Sequence, residues 1–214
     1  MQAESSDHVI VLHGIWMRGI AMLPLARRLR SAGFTVEALD YPSVLGSWTD
    51  TVSRLADHWR ERAGGKVHVV GHSLGGVLAL HVAATCPDLP EGHIVCLGSP
   101  LNGSAAASRM RAIPGGNWLM GQSAAVLRDG LAAWQGQRPV GVIAGSTPIG
   151  LGSVLGVLQS PHDGTVSVEE TRLAGIDEHR VVPLTHTGLA FSAEVAAMAA
   201  GFLRTGRFPS EAFA

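Results

Sequence analysis

The stretch Val67-His68-Val69-Val70-Gly71-His72-Ser73-Leu74-Gly75 decides how this chain is interpreted. It begins as an apolar strand, and residues 76–82 continue with the composition of a buried helix. Between strand and helix, residues 71–75 fit the pattern G-x-S-x-G. A strand, a tight turn and a helix is the setting in which this motif places a serine at the apex of the turn, with its hydroxyl above the sheet. Gly71 and Gly75 fit because strand and helix nearly touch at such a turn. Ser73 is therefore the candidate nucleophile.

Composition limits the class of protein. The chain has 214 residues, enough for one domain with a sizeable core. Hydrophobic residues make up 46% and charged residues 15%, with a mean hydropathy of +0.23, which suits a parallel sheet buried on both faces. The net charge of −1, an isoelectric point of about 6.8 and the lack of a basic stripe argue against nucleic acid as a partner.

Other features bear on location and redox state. The first eight residues show no cationic segment followed by an apolar one, so we expect no signal peptide and a cytoplasmic protein. The uncharged stretch 139–162 is long enough to span a membrane, but glycine and proline interrupt it. We therefore expect a buried strand with a glycine-rich loop, and no stable membrane insertion. Cys86 and Cys96 are expected to be buried free thiols. The sequence does not predict the oligomeric state.

Strand-like and helix-like segments alternate along the chain. The predicted strands are residues 8–13, 34–38, 66–70, 93–97, 139–144 and 179–184. This alternation predicts an α/β fold with a six-stranded, mostly parallel sheet and helices on both faces. Residues 1–214 are predicted to form a single domain. Region 101–137 has no strand of its own and contains Pro114-Gly115-Gly116, so we expect two short helices joined by a turn, a possible cap.

A serine nucleophile needs a base, and topology selects one from ten histidines. The carboxyl ends of parallel strands carry the active site in open α/β sheets, so the base should follow the last strand. His186, in Leu184-Thr185-His186-Thr187-Gly188, is in that place, whereas His179 lies roughly 20 Å away at the other end of the strand, at ~3.3 Å per residue. Several others are expected to be surface or packing residues: His8, His58, His68, His81 and His93.

The base needs a carboxylate to hold its second nitrogen. Asp163, in His162-Asp163-Gly164-Thr165, is the first carboxylate after the fifth predicted strand. An Asp-Gly pair is also a common turn, and both roles are compatible. Asp129 in region 101–137 is a distant second candidate, and Asp177 lies at the wrong end of the final strand.

His13-Gly14-Ile15 ends the first strand, where a loop can fold over the serine turn. The backbone N–H of Ile15 and that of Leu74, directly after Ser73, are the predicted donors of an oxyanion hole. Loss of one such donor typically costs ~10²–10³ in rate. An ordinary exit from a strand is the alternative interpretation of His13-Gly14.

These segments resemble the α/β-hydrolase superfamily, and within it the small serine lipases and esterases. The resemblance covers nearly the whole chain, through Val9-Ile-Val-Leu-His-Gly, Gly71-His-Ser-Leu-Gly-Gly, Leu97-Gly-Ser-Pro-Leu-Asn-Gly-Ser, His162-Asp-Gly-Thr-Val and His186-Thr-Gly-Leu. Its end, Gly201-Phe-Leu-Arg-Thr-Gly-Arg-Phe, is similar to bacterial proteins grouped with minimal lipases and inositol-deacylase-like hydrolases. The resemblance implies a minimal α/β-hydrolase fold and catalysis by Ser73, Asp163 and His186. The chain departs from larger lipases by lacking their leading antiparallel strands.

The expected substrate is a small-molecule acyl ester of short or medium chain, and no metal or organic cofactor is required. The candidate residues for binding this ester are Trp16, Leu101, Trp118 and Leu155. Neighbouring apolar residues could join them in an acyl pocket or lid: Met110, Ile113, Leu119, Met120, Leu151, Val154, Val157 and Leu158. The alternative for all of them is packing against the sheet. Arg109, Arg111 and Arg128 could instead hold an anionic head group, although arginines on helices usually form a solvated face.

Two other functions remain open at this point. The same three side chains could serve a thioesterase, a phospholipase-type deacylase or an acyltransferase, because the pocket and not the nucleophile selects acceptor and leaving group. A non-catalytic hydrolase scaffold used for binding is the third possibility, which the presence of every expected catalytic position disfavours.

Overall fold

The alternation of strands and helices is present in the computed structural model, which describes residues 7–62, 64–111, 114, 115, 118, 120–150 and 158–210. The strands are β1 (His8–Leu12), β2 (Thr35–Leu39), β3 (Val67–His72), β4 (Ile94–Leu97), β5 (Val140–Gly145) and β6 (Glu178–Val182). The α-helices of the described residues are α1 (Leu23–Ser31), α2 (Trp48–Arg60), α3 (Leu74–Thr85), α4 (Ala105–Arg111), α5 (Ser123–Asp129), α6 (His186–Phe191) and α7 (Ala193–Thr205). Short 3-10 helices occupy Gly19–Met22 and Glu169–Thr171.

The six strands form one sheet in the order β2-β1-β3-β4-β5-β6. Every neighbouring pair is parallel, from the β1–β2 register His8 with Thr35 to the β5–β6 register Gly145 with Val182. All six strands were predicted within two residues of their ends, and the mostly parallel sheet is wholly parallel. Because parallel strands all end at the same edge, the segments after β1, β3, β4, β5 and β6 lie along one edge of the molecule.

Each face of the sheet packs on its own helices. Val9 and Val11 of β1 belong to the apolar core with α1 and α7, whereas Ile10 and Leu12 belong to the core with α2 and α3. This alternation follows from the two-residue period of a strand. A sheet covered on both faces explains why the inner strands β1, β3, β4 and β5 are nearly continuous apolar runs, whereas the edge strands β2 and β6 keep polar and exposed positions. All six residues of β3 are buried.

Side-chain caps mark the start of several helices. Ser47 Oγ accepts a hydrogen bond from Asp50 N–H at the start of α2, and Ser192 Oγ accepts one from Val195 N–H at α7. Thr185 does the same for α6, of which His186 is the first residue. Such caps satisfy N–H groups that have no partner inside the helix.

The described part of region 101–137 includes the short helices α4 and α5. Leu101, Leu127 and Trp134 pack this region into the core shared with α3. Its role as a cap stays a prediction. Both cysteines are free, but only Cys96 is buried; Cys86 is half-buried, because it follows the last turn of α3. No helix in the described ranges is both long enough and apolar enough to cross a membrane.

Candidate active site

Ser73 lies at the sharp turn between β3 and α3. Its backbone has φ 54° and ψ −121°, a conformation that residues with a Cβ rarely adopt. Its N–H donates to Leu97 O at 2.8 Å, so the turn is held against the end of β4. A Cβ on Gly71 would fall on the backbone of Gly75 and Gly76, and one on Gly75 would lie 2.6 Å from Leu12 O. The close approach of strand and helix expected from the sequence is therefore present.

Asp163 and His186 form a buried pair at the same edge of the sheet. His186 Nδ1 lies 2.7 Å from Asp163 Oδ2, and their side chains are 11% and 1% exposed. Because a carboxylate accepts, Nδ1 carries the shared proton, and the lone pair of a neutral His186 is on Nε2. The backbone joins them a second time, since His186 N–H donates to Asp163 O at 2.9 Å.

The Asp163 turn also fixes the carboxylate. Its Oδ1 accepts hydrogen bonds from the N–H groups of Thr165 at 2.9 Å and Val166 at 2.7 Å. Gly164 takes a φ of +95° within this turn. Asp163 is therefore both a turn residue and the partner of His186, as the sequence allowed. With one oxygen held by the backbone, the other is aimed at the imidazole.

Gly98 lies where the serine turn meets the Asp–His pair. It directly follows Leu97, whose carbonyl holds Ser73 N–H. A Cβ on Gly98 would lie 3.0 Å from Asp163 Oδ2 and 3.1 Å from His186 Nδ1. Within the described residues, the hydrogen bonds of His186 do not include one to Ser73 Oγ. In hydrolases without substrate that contact is often long and tightens on binding, so the Ser73–His186 contact stays a prediction.

His72, which precedes Ser73, also contacts His186. Its Nε2 lies 2.9 Å from His186 O, and the two ring centroids are 4.7 Å apart. Burial and the neighbouring His186 lower the pKa of His72 to about 3, so this histidine is neutral near neutral pH and too weakly basic to compete as the base. Nothing in the sequence pattern marks His72 or Gly98 as functional. His72 lies within Gly71-His-Ser-Leu-Gly-Gly and Gly98 directly follows β4, but their contacts with residue 186 depend on the fold.

A turn from Gly14 to Met17 faces the serine. Gly14 O accepts hydrogen bonds from Met17 N–H at 3.3 Å and from His13 Nδ1 at 2.8 Å. In a trans peptide the N–H points opposite to the carbonyl, so the Ile15 N–H points away from both donors. A Cβ on Gly14 would lie 3.1 Å from Ser73 Cβ, which shows how closely this turn approaches the serine.

The same turn is anchored to the end of β2. Tyr41 donates its hydroxyl to His13 O at 2.7 Å, and its ring stacks on the His13 ring with centroids 4.3 Å apart. Trp16 within the turn has φ 60°. Among the described residues, Trp16 and Ser73 are the non-glycine residues with positive φ, and strained backbone of this kind clusters at functional sites.

The other titratable candidates are elsewhere. Asp129 forms an ion pair with Arg128, and Asp177 accepts a hydrogen bond from Val140 N–H at the start of β5. His179 contacts Thr171 Oγ1 near the start of β6. His68 is buried and accepts a hydrogen bond from His93 N–H. Asp177, His179 and His68 lie at the amino ends of their strands, away from Ser73.

The candidate substrate-binding residues differ in how exposed their side chains are. Trp16 is 52% and Trp118 is 77% exposed, whereas Leu101 is fully buried. Leu101 is a correction, because it packs in the core beneath region 101–137 and has no surface for a ligand. Met120 is likewise buried, and Met110 and Leu158 are half-buried. The remaining candidates lie outside the described residues: Ile113, Leu119, Leu151, Val154, Leu155 and Val157.

Large apolar side chains are exposed around this edge, and we call them the apolar rim. Its members are Trp16, Ile20, Leu45, Trp118, Ile149 and Phe191. Five of them follow the carboxyl ends of β1, β2, β5 and β6. Trp118 is close in sequence to Gly121, which packs against Val44 after β2. These residues supply exposed apolar surface in segments that follow the strands.

Comparison with known proteins agrees with this fold. A family model described as the alpha/beta hydrolase family matches residues 9–208. The chain belongs to the alpha/beta hydrolase family.

Individual relatives are distant. The pimeloyl-[acyl-carrier protein] methyl ester esterase of Citrobacter koseri is 28% identical over 102 residues, which are 46% of this chain and only 40% of that protein. The mature lipase BlEst2 of Bacillus licheniformis superposes with a TM-score of 0.76 at 17% identity, over 97% of this chain and 95% of that one. The RedJ thioesterase of Streptomyces coelicolor gives 0.63 at 14% identity, over 92% and 85%. At such identities the two structures share the fold.

Proposed function

We propose that this protein is a serine hydrolase that cleaves carboxylic esters through an acyl-enzyme on Ser73. His186 is the general base and Asp163 the orienting acid. The observation that carries the proposal is the buried 2.7 Å contact between His186 Nδ1 and Asp163 Oδ2, beside a strained serine turn. This arrangement leaves the basic Nε2 of His186 for a proton from the serine.

In the acylation step, Ser73 Oγ attacks the ester carbonyl carbon while His186 Nε2 takes the hydroxyl proton. The carbonyl oxygen becomes an oxyanion, for which the backbone N–H groups of Ile15 and Leu74 are the proposed donors. Leu74 begins α3, and the unpaired N–H groups at a helix start favour negative charge. The imidazolium of His186 is stabilised by Asp163, and it returns the proton to the departing alcohol as the C–O bond breaks.

In the deacylation step, water takes the place of the alcohol. His186 removes one proton from the water as its oxygen attacks the acyl carbon. The second tetrahedral intermediate expels Ser73 Oγ, which regains its proton from His186. The carboxylic acid product leaves, and the residues return to their starting state. Apart from the ester and the water, each group in this cycle is a side chain or a main-chain N–H of the protein.

The apolar rim supports a short- or medium-chain acyl ester as the substrate. Trp16 is part of the turn beside Ser73, and Trp118 adds an exposed indole. Contact with these rings removes apolar acyl surface from water, and each buried CH₂ contributes about 0.8 kcal/mol. We therefore expect KM to fall as the acyl chain lengthens from two to eight carbons. Trp118→Ser should weaken this trend without changing the hydrolysis of acetate esters.

Active-site labelling tests the chemistry. A fluorophosphonate probe should modify Ser73 in the wild-type protein, as mapped by peptide mass spectrometry. Ser73→Ala should abolish labelling, and His186→Ala should slow it by several orders of magnitude. Ser104→Ala is the matched control, since Ser104 is a buried serine that caps the start of α4. Labelling at a serine other than 73, or unchanged labelling in His186→Ala, would contradict the assignment.

Turnover of p-nitrophenyl esters of increasing chain length measures the substrate preference. The thioester analogue of the best ester separates an esterase from a thioesterase such as RedJ. Equal turnover by the wild type and Ser73→Ala for all substrates would instead support a binding scaffold.

A further inference from the structure

We propose that His72 is a positioning residue that holds His186 at a fixed place relative to Ser73 and the turn at Gly14. This inference rests on the proposed function, because it assigns a task within the same site. His72 touches three parts of that site. It is bonded to Ser73 along the chain, its Nε2 lies 2.9 Å from His186 O, and a Cβ on Gly14 would lie 3.2 Å from its Nδ1.

The hydrogen bond assigns the tautomer of His72. A carbonyl oxygen only accepts, so Nε2 carries the proton and donates it to His186 O. His186 is thereby held on both sides of its α-carbon, since its own N–H donates to Asp163 O at 2.9 Å. The residue that follows β6 is thus tied to β3, although β4 and β5 lie between these strands in the sheet.

The neutral state of His72 suits a neighbour of the base. His186 becomes an imidazolium in the proposed reaction, and the His72 ring is only 4.7 Å away. A charged His72 would oppose that cation, but burial, together with the His186 ring, keeps the pKa of His72 at about 3. The other titratable groups acting on His72 are Asp163 and His13. A buried neutral donor therefore supports the base without competing for its proton.

The Nδ1 of His72 is the second notable atom. It is buried, and within the described residues it has no hydrogen-bond partner. A ring used only to fill the core would favour an apolar side chain, because a buried polar atom without a partner costs about 1–3 kcal/mol. The imidazole is retained despite this cost, which agrees with a use for its Nε2–H donor.

Two variants separate positioning from packing. His72→Gln can place an amide N–H near the position of Nε2, whereas the shorter His72→Asn can reach only the position of Nδ1. We expect His72→Asn to lower kcat by about 10- to 100-fold with KM changed less than threefold, because a displaced base impairs chemistry more than binding. His72→Gln should recover most of the loss. His179→Gln, at the opposite end of the sheet, is the matched control and should keep wild-type kcat.

A measurement without turnover distinguishes failure of this inference from failure of the proposed function. In a Ser73→Ala background, the proton between His186 Nδ1 and Asp163 should give a downfield resonance in the proton spectrum. We expect it to be kept with His72→Gln and broadened with His72→Asn. If His72→Asn does not fold, His72→Phe, which keeps a ring and removes the donor, takes its place. Equal kcat in the Gln and Asn variants, or an unchanged resonance in both, overturns the proposal. A wild-type protein that neither turns over esters nor labels at Ser73 overturns the proposed function alone.

Discussion

Gly98→Ala should impair the candidate site in a way that a matched glycine substitution does not. Gly98 has φ +55°, so any side chain there costs about 1–2 kcal/mol of backbone strain. The new methyl group would also lie 2.8 Å from Leu189 Cδ1, 3.0 Å from Asp163 Oδ2 and 3.1 Å from His186 Nδ1. Contacts at these distances force the carboxylate and the imidazole to move by a few tenths of an ångström.

Gly33→Ala is the control for the backbone term. Gly33 has φ +95°, but a Cβ there meets nothing within 4 Å. We therefore expect both variants to lose about 1–2 kcal/mol of stability from strain, roughly 2–8 °C in Tm for a chain of this size. Gly98→Ala should lose more, because the contacts with Asp163 and His186 add to the strain.

Activity is the decisive comparison. Displacement of a base by about 1 Å can cost ~100-fold in rate, so a shift of a few tenths should lower kcat of Gly98→Ala by about 3- to 6-fold. Gly33→Ala should keep kcat within twofold. Both are measured on p-nitrophenyl butyrate, with Tm from circular dichroism. If both variants lose the same stability and both keep wild-type kcat, Gly98 does not set the place of the Asp163–His186 pair.

Two further predictions concern the anchor of the serine-facing turn and the buried histidines. Tyr41→Phe removes the hydroxyl that donates to His13 O, so it should lower the free energy of unfolding by about 1–2 kcal/mol and should lower kcat more than it raises KM. Urea unfolding measures the stability, and steady-state kinetics measure kcat and KM. An unchanged kcat would show that this hydrogen bond does not act on the site. The second prediction is a loss of stability in acid. Burial lowers the pKa of His68 and of His179 to about 4 in the folded protein, whereas in the unfolded chain each histidine titrates near 6.5. Below about pH 6.5 the unfolded chain therefore binds more protons than the folded protein. Their contribution to stability is complete above pH 6.5 and is lost as the pH falls to about 4, by up to about 1.4 kcal/mol per pH unit for the fully buried His68 and by less for the half-buried His179, where water screens the charge. His68→Asn keeps an acceptor for His93 N–H and should remove the His68 part of the slope, and an unchanged slope would refute the assignment.

The sheet and the residues brought to its edge could be predicted from the sequence for a common reason. Parallel strands end on the same side, so residues that directly follow β3 and β6 must share an edge wherever they lie in the chain. Ser73 and His186 follow their strands within four residues, and Asp163 is the first carboxylate after β5. Strand ends differ from prediction by at most two residues, since the apolar pattern does not mark where hydrogen bonding stops.

What the sequence could not supply depends on distances between segments. Gly98 resembles any glycine after a strand until Asp163 and His186 pack against its α-carbon. His72 is simply the variable residue of G-x-S-x-G until the fold places His186 O within 2.9 Å. For Leu101 the sequence suggested a role in binding, because the sequence of an inserted region does not distinguish an apolar pocket residue from an apolar core residue. The pattern predicts apolar surface, but not what that surface contacts.

Positive φ values link the sheet to the chemistry of the site. Trp16, Ser73 and Gly98 follow β1, β3 and β4, which are neighbours in the sheet, and each takes a left-handed conformation. Such a conformation reverses the chain abruptly, so groups after three adjacent strands converge on one point and do not run on into solvent. Two of these positions carry side chains, and strain of this kind costs about 1–3 kcal/mol at each. It persists because neighbouring groups fix the backbone: Leu97 O holds Ser73 N–H, and Gly14 O is held by Met17 N–H and His13. Relaxing either turn would therefore cost these bonds as well, which is how the fold can keep the strained turn of Ser73, the proposed nucleophile, in place.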